Sequence, residues 1–381
     1  MIANNCCGTD ALTGDPVTIT FDHYIREVAA GPESPDVLMA PGFIDLQVNG
    51  FAGVDYNDCA TPLEEIGRSI RALHATGVTR FYPTVITGAP DAMQAALATL
   101  GQAAETLSGG WAMAGFHVEG PHISPEDGPR GAHPRRWVRP PDYDEYRRWQ
   151  DAAGNRVRLV TLAPEWPGAT RYIERLAAEG IVVAIGHTQA SAAQIADAVS
   201  AGATLSTHLG NGAHPVLRRH PNYLWEQLAE DRLMASFIVD GIHLDAAFLK
   251  VALRAKGVSR AVLITDAVPP AGSAPGRYRL GAQEIEFTED GRVVLAGQDR
   301  LAGSALLMHR GIANLVRLAG IPLADAVRMA TTNAARAGGF SPDAGSLVPG
   351  APADLVQFRY DAAQFRLEII STWLAGRQVF P

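Results

Sequence analysis

Residues 182–188 read VVAIGHT: a short apolar run, a glycine, then His187. A run of that length suits a strand buried on both faces, and the imidazole arrives where the strand should end. Four more runs repeat the plan. MAGFHVEG (113–120) delivers Glu119, TLSTHLGN (204–211) His208, MASFIVDG (234–241) Asp240 with His243 just beyond, and AVLITDAV (261–268) Asp266. One polar residue closing one strand means little. Five in succession point to parallel strands converging on a single metal-dependent catalytic site.

Outward from these runs the chain alternates strand-like and helix-like segments. Strands are expected at 43–49, 79–87, 113–120, 157–165, 182–188, 204–211, 234–240 and 261–267, and helices at 61–77, 89–107, 168–180, 191–201, 245–256, 304–319 and 322–337. Eight β/α units in one stretch predict a (β/α)8 TIM-type barrel over 42–339. No G-x-G-x-x-G turn follows the first strands, so an open dinucleotide-binding sheet is disfavoured. Residues 276–300 read as an inserted hairpin. Both ends of the chain, 1–41 and 340–381, are short and β-like and are expected to pair as one small β-sandwich domain.

Composition narrows the function. The 381 residues are 47% apolar with a net charge of −8, enough for a large core and wrong for generic nucleic-acid binding. Cys6, Cys7 and Cys59 form no disulfide or zinc-knuckle pattern. The first residues, MIANNCCGTD, lack the basic-then-apolar pattern of a secretory signal, and no run suits a membrane span. A cytoplasmic protein with neither nucleic-acid nor membrane partners is expected.

Each candidate residue has a functional and a structural reading. His187 and His208 are metal ligands, or core imidazoles satisfied by carbonyls. Glu119 completes a Glu/His/His set with an open fourth position, or is a salt-bridged structural acid. Asp266 is a general base and acid, or a cap. His243 orients a substrate carbonyl; His133 reaches over the barrel mouth or lies idle on the surface. His117, on the same face as Glu119, supports the site or merely packs. Arg218 and Arg219 grip an anion, or are two solvated arginines. Leu301 to Gly303 bring backbone close to a ligand, or precede a helix capped by Ser304.

Taken together the chain resembles the amidohydrolase superfamily, and within it the N-acetylglucosamine-6-phosphate deacetylases. The fragments that carry the resemblance are PGFIDLQVNG (41–50), HVEGPH (117–122), TLAPE (161–165), GHT (186–188), THLGN (207–211), DGIH (240–243), TDAVPPAG (265–272), LAGSALLM (301–308) and GSLVPGAPADLV (345–356), in that order. The resemblance implies hydrolysis of the acetamide of N-acetylglucosamine 6-phosphate, with a different N-acyl amino sugar or a non-catalytic sugar-binding barrel as alternatives. It implies that Glu119, His187 and His208 hold the metal and that Asp266 is the acid/base. Substrate would meet Ala132 and His133, Asn211 and Gly212, Asp240, Gly241, Ile242 and His243, and Leu301, Ala302 and Gly303. Arg219 would grip the phosphate across a homodimer interface.

Two departures stand out. Where many superfamily members carry His-x-His for a second metal, this chain has Gln47-Val48-Asn49, which implies one divalent ion per subunit: zinc first, with iron, cobalt or manganese as alternatives. Where the family shows His-Leu-aromatic-Asn-Ala-Met, this chain reads HLGNGAH (208–214). That loop meets the sugar, so the exact substrate is the open question.

Overall fold

The structure is a computed structural model describing residues 4–34 and 36–381. Residues 1–3 and Pro35, which the sequence reading assigns to the small β domain, lie outside the described residues. Eight parallel strands form the barrel: Phe43–Val48, Val78–Ile86, Phe116–Glu119, Val157–Leu162, Val182–Ile185, Ala203–Ser206, Met234–Ile238 and Ala261–Ile264, each bonded to the next in chain order. The seam between the first and last is closed by a parallel bridge from Val48 to Ala267. Beneath that bridge the buried Asp45 accepts Thr265 Oγ1–H (2.5 Å) and the Thr265 N–H (3.2 Å). Burial pushes this carboxyl up to about 7.

The barrel interior is layered. At the bottom Leu46, Tyr82, Leu159, Leu205 and Val262 pack together. Above them lies a polar belt in which His117 Nε2 meets Thr161 Oγ1 (2.7 Å) and Thr161 Oγ1 meets Thr207 Oγ1 (2.7 Å). His117 therefore sits below the candidate site and does not reach into it. Above the belt come the strand ends with Glu119, His187, His208 and Asp266, so the chemistry is confined to the C-terminal mouth.

The helices start where local chemistry caps them. Ser191 and Gln194 form a capping box for Ala192–Ser200, and Asp245 accepts the Phe248 N–H at the head of Ala246–Lys256. Two helices, Tyr143–Ala152 and Tyr223–Ala229, were not expected from the periodicity. Two expected helices are shorter or broken. The first begins at Met308 because Ser304 instead bridges Ala267 and gives its hydroxyl to Thr265 O (2.5 Å), so Ser304 is no cap. The second splits into Leu323–Met329 and Thr332–Ala337, since the Ala330 carbonyl is taken by the Ile44 N–H of the first strand (2.8 Å).

Both chain ends enter one seven-stranded sheet, meeting where Leu38–Pro41 pairs antiparallel with Leu355–Asp361. The sheet has its own core around Ile19, Phe21, Ile25, Met39 and Leu355. A part-buried ion pair, Arg80 Nε to Asp354 Oδ2 at 2.7 Å, ties it to the second barrel strand. The 276–300 segment forms three short antiparallel strands over the barrel mouth. No helix of the described residues is long and apolar enough to cross a membrane.

Candidate active site

Three of the four residues at the strand tips share an uncommon backbone. His187 (φ 51°), His208 (φ 30°) and Asp266 (φ 50°) are three of only seven described non-glycine residues with positive φ. A left-handed residue of this kind costs about 1–2 kcal/mol, so their recurrence at three strand ends marks positions held for a purpose. Glu119 keeps extended backbone, and Gly120 after it takes the turn at φ 76°. Gly186 is demanded by crowding: a Cβ there would lie 2.8 Å from Thr161 Cγ2 and 2.9 Å from Thr207 Cβ.

These tips bring the side chains together. Glu119 Oε1 lies 2.8 Å from His208 Nε2 and 3.3 Å from His187 Nε2, while His133 Nε2 stands 4.0 Å from the other carboxylate oxygen. All four groups are buried. Burial raises the Glu119 carboxyl, but the two imidazoles bonded to it overcome that and hold it well below the usual range. His187 Nδ1 lies 2.8 Å from the carbonyl of Pro129. A carbonyl only accepts, so Nδ1 carries the proton and the neutral ring turns a lone pair toward Glu119, itself an acceptor. Two acceptors face each other there unless the ring is protonated or a cation stands between them. The donor set fits a divalent cation. For ligand bonds of ~2.0–2.1 Å a tetrahedral set stands about 3.3 Å apart. Measured to Glu119, His187 and His208 come nearer to that than His133, while the ligand atoms of Glu119, His133 and His187 all lie within 4.8 Å of one another.

Asp266 closes the constellation. Gln47 Nε2 donates both to Glu119 Oε1 (2.9 Å) and to Asp266 Oδ1 (3.1 Å), and Asn49 Nδ2 donates to the same Asp266 Oδ1 (2.7 Å). Both donors thus converge on Oδ1 and leave Oδ2 as the oxygen that can take a proton. Burial, with the nearby Glu119 charge, pushes Asp266 up to about 6. Across the mouth, His243 Nδ1 is bonded to Asp240 Oδ2 at 2.6 Å, which orients the ring with Nε2 available to a ligand. The same carboxylate accepts the N–H groups of Ile242 and His243, both at 2.8 Å.

A cavity of about 550 Å³ opens above this set and is lined by Asn49, Glu119, His187, His208, His243 and Asp266, among others. A family model, the amidohydrolase family, matches residues 38–379. The chain belongs to the amidohydrolase family. A curated relative of this amidohydrolase, the N-acetylglucosamine-6-phosphate deacetylase of Bacillus subtilis (strain 168), is 34% identical over 360 residues, covering 94% of this chain and 87% of the relative. The Homo sapiens protein of the same name is 34% identical and covers 90% and 83%. Among solved structures, a mutant N-acetyl-D-glucosamine-6-phosphate deacetylase from Mycobacterium smegmatis, in complex with N-acetyl-D-glucosamine-6-phosphate, superimposes with a TM-score of 0.90. It is 30% identical, with all of both chains covered.

In this amidohydrolase the residues named from sequence divide into two groups. Ala132, His133, Asn211 and Gly212 line the cavity, as do His243, Leu301, Ala302 and Gly303. Asp240, Gly241, Ile242 and Arg219 do not. Asp240 is bonded to His243 instead, and with Ile242 borders a separate cavity. Arg219 lies exposed on the loop beyond Gly212, outside its own chain's cavity. The altered 208–214 loop has a packing reason. A Cβ at Gly210 would meet the Phe248 ring at 2.7 Å, so the neighbouring helix fills the space a side chain there would need. His214 turns away from the cavity and its Nδ1 meets Tyr223 Oη at 3.0 Å. Sequence reasoning missed Thr87, whose hydroxyl holds His133 Nδ1 at 2.8 Å, and the carbonyl of Pro129. It also read Gln47 and Asn49 only as lost metal ligands, though polar residues two apart on a buried strand could have signalled partners for the acids.

Proposed function

We propose that this amidohydrolase removes the acetyl group of N-acetylglucosamine 6-phosphate, giving glucosamine 6-phosphate and acetate. The observation that carries the reading is the convergence of His187 and His208 on Glu119, with Asp266 tied to the same carboxylate through Gln47. Glu119, His187 and His208 would hold one divalent ion, zinc first by its preference for imidazole and carboxylate in a four-coordinate set. Such an ion supplies the Lewis acidity that polarises an amide carbonyl and acidifies water.

The chain does the rest. Asp266 Oδ2 takes a proton from the attacking water as its oxygen bonds to the acetamide carbon. It then delivers that proton to the amide nitrogen as the C–N bond breaks, releasing acetate and the amine. Gln47 and Asn49 keep Asp266 aimed through Oδ1. His243, oriented by Asp240, and His133, oriented by Thr87, donate to the substrate's oxygens. Asn211, Gly212, Ala132 and the 301–303 backbone shape the sugar site. Arg219 would reach a phosphate only from the partner of a homodimer, and a cytoplasmic setting fits a sugar-phosphate substrate.

The test is acetate release from N-acetylglucosamine 6-phosphate by zinc-loaded protein, with N-acetylglucosamine alongside. Turnover of the phosphorylated sugar supports the assignment. No turnover of either sugar, in protein holding about one metal per chain, would refute it.

A further inference from the structure

Asp45 is a fully buried carboxylate that the proposed reaction does not use, and among the described residues none of its hydrogen-bond partners is a cation. An acid without a cation inside a barrel is costly, so its oxygens should be spent where their geometry matters. They are spent on the two residues that hold Asp266. Asp45 Oδ1 accepts the N–H groups of Gln47 (3.3 Å) and Thr265 (3.2 Å), and Oδ2 accepts the Thr265 hydroxyl (2.5 Å). Gln47 is the amide that donates to Asp266, and Thr265 is the residue before it.

A carboxylate only accepts, so the Thr265 hydroxyl points its proton at Asp45 and keeps its lone pairs for another donor. That donor is the Ala267 N–H, 3.1 Å away. One hydroxyl thus spans Asp266, tied on one side to the first barrel strand and on the other to the residue that follows. The bond closes a tight side-chain turn over Asp266, whose backbone is left-handed at φ 50°. The neighbouring carbonyls are fixed as well: Ser304 Oγ donates to Thr265 O (2.5 Å) and the Ser304 N–H to Asp266 O (3.0 Å). In this frame the Thr265 hydroxyl is the group free to rotate, and Asp45 sets its direction.

We propose that Asp45 is a positioning residue for Asp266, acting through the Thr265 hydroxyl to hold the turn that aims the proton-carrying carboxylate. The proposal rests on the role given to Asp266 in the deacetylase reading above. It separates two duties at the barrel seam. Gln47 and Asn49 hold the carboxylate of Asp266, and Asp45 with Thr265 holds the backbone that carries it.

The test compares Thr265→Val, Thr265→Ser, Asp45→Asn and the Asp45→Asn/Thr265→Val double variant with wild type. Acetate release from N-acetylglucosamine 6-phosphate gives kcat and KM, and competition with a chelator gives metal affinity. A crystal structure of Thr265→Val gives the backbone at Asp266. Valine keeps the shape of threonine without the hydroxyl. It should lower kcat about 10- to 100-fold, with KM and metal affinity within about twofold of wild type, and shift Asp266 from φ 50°. Asp45→Asn must keep its oxygen on the N–H groups of Gln47 and Thr265 and turn its amide toward the hydroxyl, which loses its acceptor. Its kcat should fall in the same way by a smaller factor. Thr265→Ser keeps the hydroxyl and should retain most of the activity that Thr265→Val loses. The double variant should be no slower than Thr265→Val, since Asp45→Asn acts through a group already gone. Wild-type kcat in Thr265→Val and Asp45→Asn, losses that multiply in the double variant, or metal affinity falling in step with kcat would overturn the proposal. Wild type that turned over no phosphosugar would sink the deacetylase reading instead, and the crystal structure would still decide whether the hydroxyl holds Asp266.

Discussion

Replacing Gln47 by leucine tests the link between the two carboxylates. The side chain is 2% exposed, and leucine is close to it in size, so the change removes one amide and little volume. Lost with it are the donations to Glu119 Oε1 (2.9 Å) and Asp266 Oδ1 (3.1 Å). A hydrogen bond to a charged group is worth about 1.5–3 kcal/mol, and 1.36 kcal/mol corresponds to one pH unit. Asp266 keeps its bond from Asn49, so losing the other should raise its pKa by about one to two units. The sign follows from which form is stabilised: an amide N–H favours the carboxylate, so removing it favours the acid. The acid limb of kcat/KM therefore moves to higher pH. A bound cation lowers both curves together, so the difference between variant and wild type is the quantity to read. Metal affinity should fall roughly 10-fold as Glu119 loses its support, measured by competition with a chelator. An acid limb at the wild-type position, with unchanged metal affinity, would refute the idea that this amide joins the two acids.

Asp266→Asn should lower kcat by about 10²–10⁴-fold while metal content stays at the wild-type level. In wild type, Asp266 is pushed up to about 6 by burial and the Glu119 charge, so it accepts a proton above that pH and is blocked below it. A bound cation favours the carboxylate, and kcat/KM should fall with an apparent pKa at or below about 6; a limb well above it would point to another base. Gly186→Ala pushes a Cβ to 2.8 Å from Thr161 and should cost about 1–3 kcal/mol of stability by chemical denaturation. It should weaken metal binding as well, because His187 is the next residue; loss of stability with full metal affinity would contradict that coupling.

The barrel was legible because each strand is a short apolar run ending in a polar residue, and all eight lie close to where the pattern puts them. Glu119, His187, His208 and Asp266 stood out for the same reason. Helix ends were harder, since they depend on distant partners. Ser304 and Ala330 look like ordinary helix residues until the Thr265 carbonyl and the Ile44 N–H claim them. Orienting groups were harder still. The Pro129 carbonyl has no side-chain signature, and Thr87 and Gln47 matter only because the fold places them against His133, Glu119 and Asp266. Arg219 shows the converse: two adjacent arginines read as an anion grip, yet the loop leaves Arg219 outside its own chain's cavity.

The left-handed backbone at His187, His208 and Asp266 sets stability against activity at the positions proposed to hold the metal and move the proton. Glycine adopts that conformation with less strain than histidine or aspartate. A laboratory search that rewarded heat resistance alone would tend to erase these three residues, and each gain would disarm the enzyme. Stabilising this protein is therefore a task for its helices, its surface and its small β-sheet, with the strand tips of the barrel left alone.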